Sequence, residues 1–338
     1  MRHFVIVGIL VIVVAVLTYL GLDKAELMPL AASAQAIPID WLWDVEIATL
    51  SFLFALIIAP MFYSLVVFRH RKGETGDGVH MEGNTNLEIT WTVLPLVLVV
   101  VFAYLSAVNL ADVTRADPDA MIIRVRALQW DWKFEYPEYG GFTSDELRIP
   151  VDRQVVLKME SSDVVHSFWV PEFRIKQDVV PGRITEYRVT PNLIGSYKVR
   201  CAELCGTSHY SMEDVVLVVE PDDFVAWARQ EEIAWQDKLA AGGAIAGQAF
   251  VQKYGCLGCH SIDGSALVGP TWRGVYGEEV ELSDGTIVIA DEDYIRRSIL
   301  EPRLQVVKGF SAMTFNAQAV GMTNDEIEAI LAYIATLK

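Results

Sequence analysis

Cys201-Ala-Glu-Leu-Cys-Gly-Thr-Ser-His-Tyr-Ser-Met212 decides how the rest of the chain is read. The run holds two thiols, an imidazole and a thioether in the spacing C-x3-C-x3-H-x2-M. Soft sulfur and imidazole donors suit copper, and a weak axial methionine is typical of electron-transfer copper sites. Two cysteines four residues apart can both bridge a pair of copper ions, which one thiolate cannot do. Such a pair needs a second imidazole, and His166, in Asp163-Val-Val-His-Ser-Phe-Trp169, can supply it from an earlier strand. The competing reading is a C-x3-C disulfide beside an unrelated histidine and methionine, the ordinary expectation for two exported cysteines. Histidine and methionine at these offsets favour the metal.

Together with His166, the pattern resembles the dinuclear copper (CuA) site of cytochrome c oxidase subunit II. The resemblance implies His166 and His209 as terminal nitrogen ligands and Cys201 and Cys205 as bridges. Met212 would be the weak ligand on one copper and the backbone carbonyl of Glu203 would complete the other. It further implies that the Glu203 side chain reaches a magnesium ion at the border with the catalytic subunit. No ligand position is substituted.

A chain of 338 residues exceeds one average domain, so two or three units are expected. A 52% hydrophobic content points to membrane segments. The net charge of −17 is mostly carried beyond residue 108, where 22 Lys/Arg face 35 Asp/Glu. That acidic exterior argues against nucleic acid, which selects a basic patch.

Three uncharged windows, 4–22, 47–68 and 91–110, reach the length a membrane helix needs. Pro60 and Pro95 fall inside the second and third, which membrane helices tolerate. Arg69-His-Arg-Lys72 after the second window marks a cytoplasmic end, so the chain beyond Leu110 is expected on the outer face. Arg2 fits the same scheme. Ala34-Gln35-Ala36 after the first window imitates a signal-peptide cleavage site. The 13 residues between Leu22 and Ala36 favour a retained helix over a cleaved leader. A polar loop, 73–78, joins the second and third windows. Asn86-Leu-Glu-Ile-Thr-Trp-Thr-Val-Leu-Pro95 again resembles subunit II at the start of its second helix. The resemblance implies Glu88 as the mouth of a proton path into the catalytic subunit; alternatively Glu88 solvates the helix start and favours its dipole.

From about 121 to 221, short alternating runs punctuated by Gly, Pro and Asp read as an antiparallel sandwich. The runs are 122–126, 154–160, 183–189, 195–200 and 214–219. With ligands on one early and one late loop, a cupredoxin Greek key is the natural assignment. Gln129-Trp-Asp-Trp-Lys-Phe-Glu-Tyr136 puts Trp130, Trp132, Phe134 and Tyr136 on one face at period two. An aromatic sheet face suffices for the last three, while the resemblance implies that Trp130 receives the electron bound for copper.

After a helical connector, 224–239, and Gly242-Gly243, comes Cys256-Leu-Gly-Cys-His260. C-x-x-C-H is the attachment signal for c-type haem: two thioethers fix the porphyrin and the histidine is the proximal iron ligand. A zinc half-site is the competing reading, but this region has no second Cys/His pair. Val268-Gly-Pro-Thr-Trp-Arg-Gly-Val-Tyr-Gly277 resembles the loop after the haem of a class I cytochrome c, where Pro270 backs the histidine. Gly309-Phe-Ser-Ala-Met-Thr-Phe315 then implies Met313 as distal ligand, although Thr314 replaces the usual proline. Met322 competes, but it precedes Thr323-Asn-Asp-Glu326, a helix N-cap signal. Beyond Leu110 the two sites use all three histidines and all four cysteines.

The chain is thus identified as a member of the subunit II family with a fused cytochrome c, as in caa-type oxidases. The expected organisation is a helix or signal peptide (1–36), a transmembrane α-helical hairpin (37–112), an all-β CuA cupredoxin domain (113–222), a helical linker (223–243) and an all-α cytochrome c domain (244–338). The resemblance implies electrons passing from an external donor, a cytochrome c or another small redox protein or complex, through haem c and CuA to subunit I. Oxygen reduction and proton translocation would occur there, with subunit III as a further partner, in a prokaryotic plasma membrane with both cofactor domains on the periplasmic face. The alternative is the small subunit of a CuA-containing nitric oxide reductase. A nitrous oxide reductase would need many more than the six histidines present. A copper-free quinol oxidase subunit would not keep the ligand set. The acidic haem domain, with 7 Lys/Arg and 12 Asp/Glu over 241–338, is expected to rely on its tether rather than on charge to meet the copper domain.

Overall fold

The computed structural model describes residues 1–70, 72–73, 80–265, 267–315, 317–318 and 320–338, with the backbone alone at Ile175. Most of the polar loop at 73–78, and Arg71 of the basic cluster, lie outside the described residues. The chain divides into two compact units: Met1–Ala31 with Gln35–Arg115, and Ala32–Ala34 with Ala116–Lys338.

The first unit holds three helices, α1 (Arg2–Lys24), α2 (Ala36–Val67) and α3 (Thr85–Val113), each long and apolar enough to cross a membrane. At 1.5 Å per residue even the shortest spans roughly 34 Å, against a hydrocarbon core of about 30 Å. α2 begins eleven residues before its uncharged window, because Asp40, Asp44 and Glu46 can continue a helix without apolarity. Ser51, Ala55 and Ala59, four apart, form a buried stripe on α2, and Val11 of α1 packs with the two alanines. Small side chains at that spacing let two membrane helices approach closely. Asn84 caps α3, its Oδ1 accepting the Leu87 N–H at 3.1 Å.

The second unit contains two five-stranded sheets. In chain order the strands are β1 (Met121–Leu128), β2 (Asp131–Tyr136), β3 (Phe142–Ser144), β4 (Leu147–Pro150), β5 (Val155–Ser161), β6 (His166–Val170), β7 (Ile175–Val179), β8 (Thr185–Val189), β9 (Gly195–Cys201) and β10 (Glu213–Val219). One sheet runs β3-β2-β1-β5-β8 and the other β4-β10-β9-β6-β7. The antiparallel expectation fails at two pairs, since β1 runs parallel to β5 and β4 parallel to β10. The excursion through β2, β3 and β4 returns the chain beside β1 in its original direction. Trp132, Phe134 and Tyr136 are fully buried between the sheets, while Trp130 lies just before β2 and is half-buried. Ala32–Ala34 adds a short strap to this sandwich. Ala32 N–H donates to the Glu172 carbonyl and Ala34 N–H to the Thr190 carbonyl, and Ser33 is buried.

The stretch after β10 differs from a free tether. It forms α4 (Pro221–Ala241), with proline at its first turn and Asp222 and Asp223 favouring the positive end of its dipole. Phe224, Ala228 and Trp235 are buried in the sandwich core, and Trp227 packs edge-on against Tyr136 and Phe142 at 5.2 and 5.3 Å. The spacing 224, 227, 228, 235 is a helical stripe, so the connector is docked along its length.

Beyond Gly242 come α5 (Gly243–Lys253), a hairpin of β11 (Glu279–Glu281) and β12 (Ile287–Ile289), α6 (Glu292–Leu300) and α7 (Asn324–Ile334). The small hairpin is an addition to the all-α expectation. α5 and α7 cross where Gly247 faces the Ala329 carbonyl; a Cβ there would sit 1.9 Å from that oxygen. Thr323 and Glu326 form a reciprocal capping box at the start of α7.

Candidate copper and haem sites

The pleat of β9 points Tyr197, Val199 and Cys201 inward, delivering the first cysteine to the pole of the sandwich. β6 opens with His166, fully buried, and the register sets Phe168 opposite Cys201, so both strands end at the same place. The loop between β9 and β10 supplies Cys205, then a single 3-10 turn, His209–Ser211, and finally Met212. Loops on a rigid sheet frame are where function concentrates.

The donor atoms of His166, Cys201 and Cys205 lie within 4.8 Å of one another. The two sulfurs are 3.7 Å apart, far beyond the roughly 2.05 Å of a disulfide. His166 Nδ1 is 3.9 Å from Cys201 Sγ, and His209 Nδ1 is 3.6 Å from Cys205 Sγ. Met212 Sδ lies 3.7 Å from Cys205 Sγ, and the Glu203 carbonyl is 3.2 Å from Cys201 Sγ. All six sequence-assigned positions therefore converge, while the Glu203 side chain is exposed. Two thiols flanked by imidazoles and a thioether, all buried or half-buried, fit soft metal ions.

Electrostatics favour a thiolate. Burial opposes ionisation of Cys201, but hydrogen bonding with His166 brings its pKa down to about 6. Burial and the neighbouring Cys201 push Cys205 up to about 12. A bound cation would displace the remaining protons. Burial also works against protonation of His166, yet its Nε2 is 2.7 Å from Asp163 Oδ1 and that partner raises its pKa overall. Asp163 therefore orients the ring so that Nδ1 faces the sulfurs. Sequence reasoning did not single out Asp163; its offset of three residues from His166 carries no signal without the strand geometry.

The second site is an open, mostly apolar cleft. Cys256, Cys259, His260, Met313 and Met322 all line it. His260 Nδ1 donates to the Pro270 carbonyl at 2.8 Å, which leaves Nε2 for a metal, and burial lowers its pKa so that the ring is neutral. Trp272 stacks on the imidazole at 4.8 Å, a support not anticipated from the sequence. Gly269 passes so close that a Cβ would be 2.8 Å from the His260 ring. Paired thiols, a neutral imidazole held from behind and two thioethers lining one apolar cleft fit a covalently attached haem.

Trp130 does not line that cavity. Its indole lies over Gly206 of the loop between β9 and β10, where a Cβ would be 3.0 Å from the ring, and its buried Nε1 has no hydrogen-bond partner among the described residues. Glu88 is exposed in the first turn of α3, where its Oε1 accepts the Asn84 N–H at 3.3 Å.

Three family descriptions match the chain: cytochrome c oxidase subunit II, transmembrane domain, over residues 20–108; the periplasmic domain of the same subunit over 142–219; and cytochrome c over 244–338. Cytochrome c oxidase subunit 2 of Alkalihalophilus pseudofirmus is 30% identical over 88% of either chain. Its counterpart in Synechocystis is 32% identical, covering 63% of this chain and 78% of that one. Among solved structures, the periplasmic domain of subunit II of cytochrome oxidase from Bradyrhizobium japonicum is 28% identical, with a TM-score of 0.34, covering 36% of this chain and 98% of the other.

Proposed function

The chain belongs to the cytochrome c oxidase subunit II family, and on that premise we propose that it carries electrons from an external donor, by way of its haem c and a CuA pair, to oxidase subunit I. Copper and haem c are the cofactors its two families imply. When bound, they supply reversible one-electron exchange; the residues of this chain hold and orient them. The observation that carries the reading is the convergence of His166, Cys201, Cys205, His209, Met212 and the Glu203 carbonyl on one pole of the sandwich.

In this reading the Cys201 and Cys205 thiolates and the His166 and His209 imidazoles would hold the copper pair, with Met212 and the Glu203 carbonyl as weaker donors. The exposed Glu203 carboxylate would share a magnesium ion with subunit I. Cys256 and Cys259 would attach the haem, and His260 and Met313 would hold its iron. The seat of Trp130 over the copper-ligand loop supports it as the point where an electron reaches copper. Glu88 is proposed to serve a proton path in addition to receiving the Asn84 N–H. Three membrane helices and a family periplasmic domain support a multi-pass protein of a prokaryotic plasma membrane with both cofactor domains outside. Subunit III would join the assembly.

The test is the composition of the purified complex. Two coppers and one covalent haem per copy of this chain are expected, together with a large subunit carrying a haem–copper oxygen site. One copper or none per chain, or a large subunit with non-haem iron in place of copper, would overturn the reading.

A further inference from the structure

The haem-attachment loop does not hang from its tether but is pressed against the copper domain. Arg126 Nη1 donates to the Lys253 carbonyl at 3.0 Å, and its guanidinium lies 4.9 Å from the Tyr254 ring centre. Gly255 sits on Leu128, so closely that a Cβ would be 2.3 Å from the leucine methyl. Leu128, Ser162 and Asp163 form a wall of the haem cavity itself. Besides the tether, one arginine, one leucine and a pair of glycines make a fitted seam.

Gln129 occupies the centre of this seam and touches both sites. Its Nε2 donates to the carbonyl of Cys205 at 2.6 Å. Its backbone N–H donates to Asp163 Oδ2 at 2.6 Å, while the other oxygen of that carboxylate holds His166. Its own carbonyl faces Gly258, between the two haem-attaching cysteines, where a Cβ would be only 3.2 Å away. No other hydrogen-bonded residue described above connects the copper-ligand loop, the carboxylate behind His166 and the C-x-x-C-H loop at once. We propose that Gln129 is a positioning residue that locks the haem-attachment loop to the copper-ligand loop and so fixes the spacing of the two redox sites. This rests on the electron-transfer reading above. It adds that the spacing is set by a packed seam, with α4 and the tether as secondary restraints.

The experiment uses the intact purified complex with two variants, Gln129→Met, which keeps length and removes the donor, and Gly258→Ala, which crowds the seam from the other side. Readouts are hydrogen exchange over residues 255–260, copper and haem content, melting temperature, the copper spin signal, and the rate at which flash-reduced haem equilibrates with copper. The Nε2–Cys205 bond anchors the residue whose carbonyl packs on Gly258, so its loss predicts about a tenfold rise in exchange over 255–260. Equilibration should slow by a similar factor, with cofactor content, melting temperature and spin signal unchanged in Gln129→Met. Gly258→Ala should shift exchange and equilibration in the same direction. Unaltered exchange and equilibration in Gln129→Met would overturn the proposal. So would loss of copper with exchange unaltered, because Gln129 would then belong to the copper cage alone. If haem and copper fail to equilibrate even in the unsubstituted chain, the electron-transfer reading fails, while the exchange measurement still decides whether Gln129 holds the seam.

Discussion

The connector α4 provides the sharpest quantitative test of the architecture. Phe224 is 1% exposed and sits among Tyr136, Tyr139 and Trp227, with ring centres 6.3, 5.6 and 5.9 Å away. Replacing it by alanine deletes a buried ring and leaves a cavity, a change that costs about 3–5 kcal/mol in a packed core. If that energy holds α4 on the sandwich, Phe224→Ala raises the population of the undocked helix by roughly a hundredfold at the low end and a few thousandfold at the high end. Native-state hydrogen exchange reads this directly. Amide protection in the central turns of α4 should fall by two to three orders of magnitude, while the interior strands β1 and β9 keep theirs to within about tenfold. Unchanged protection across α4 would refute the argument, because the helix would then owe its order to something other than this face. Equal loss in α4 and β1 would refute it differently, by showing that the connector and sandwich open as one unit.

Three further outcomes are expected. Cys205→Ser should abolish the seven-line mixed-valence spin signal, leaving at most a single-copper site; persistence of the seven-line spectrum would exclude bridging by Cys205. Met313→Ala should remove the weak near-infrared sulfur-to-iron band and lower the haem potential, with Met322→Ala changing neither, and the converse would reassign the ligand. At Glu326 burial works against ionisation, but the Thr323 N–H and Lys253 outweigh it and hold the carboxyl below its ordinary 4.5. A depressed folded pKa means stability that is complete above about 4.5 and lost as pH falls through the lower, folded value. Thermal stability of the haem domain should therefore fall on acidification in that window, and Glu326→Gln should flatten that slope; a variant with an unaltered acid limb would remove Glu326 from the account.

The candidate copper cluster was legible because Cys201, Cys205, His209 and Met212 crowd into twelve residues and carry their spacing in the sequence itself. The haem loop was legible for the same reason, as was the α7 cap from Thr323 and Glu326. What could not be read was anything that depends on two distant segments meeting. Asp163 is an ordinary loop carboxylate until β6 turns His166 toward the sulfurs. Gly255 and Gly258 read as parts of a haem motif, and only Leu128 and Gln129 pressed against them show that they also make a domain seam. The stripe of Phe224, Trp227, Ala228 and Trp235 was present in the sequence as a helix, but periodicity states that a face is apolar without saying what covers it. β4, β6 and β7, of four, five and five residues, are too short for alternation to register, and the parallel pairs follow from topology that no single strand encodes.

The strap Ala32–Ala34 carries a consequence for the order in which the molecule can be completed. Ser33 Oγ donates to the Phe173 carbonyl across 140 residues of chain, and the intervening sequence includes both α2 and α3. A ribosome releases residues 32–34 long before their partners at 172–192 exist, and the helical hairpin must be threaded in between. The sandwich thus reaches its final form only after membrane insertion, by capturing a segment made before it. So late a closure of so wide a loop is a slow, high-contact-order step. During that interval the backbone groups of Thr190 and Asn192 that the strap later pairs stay open.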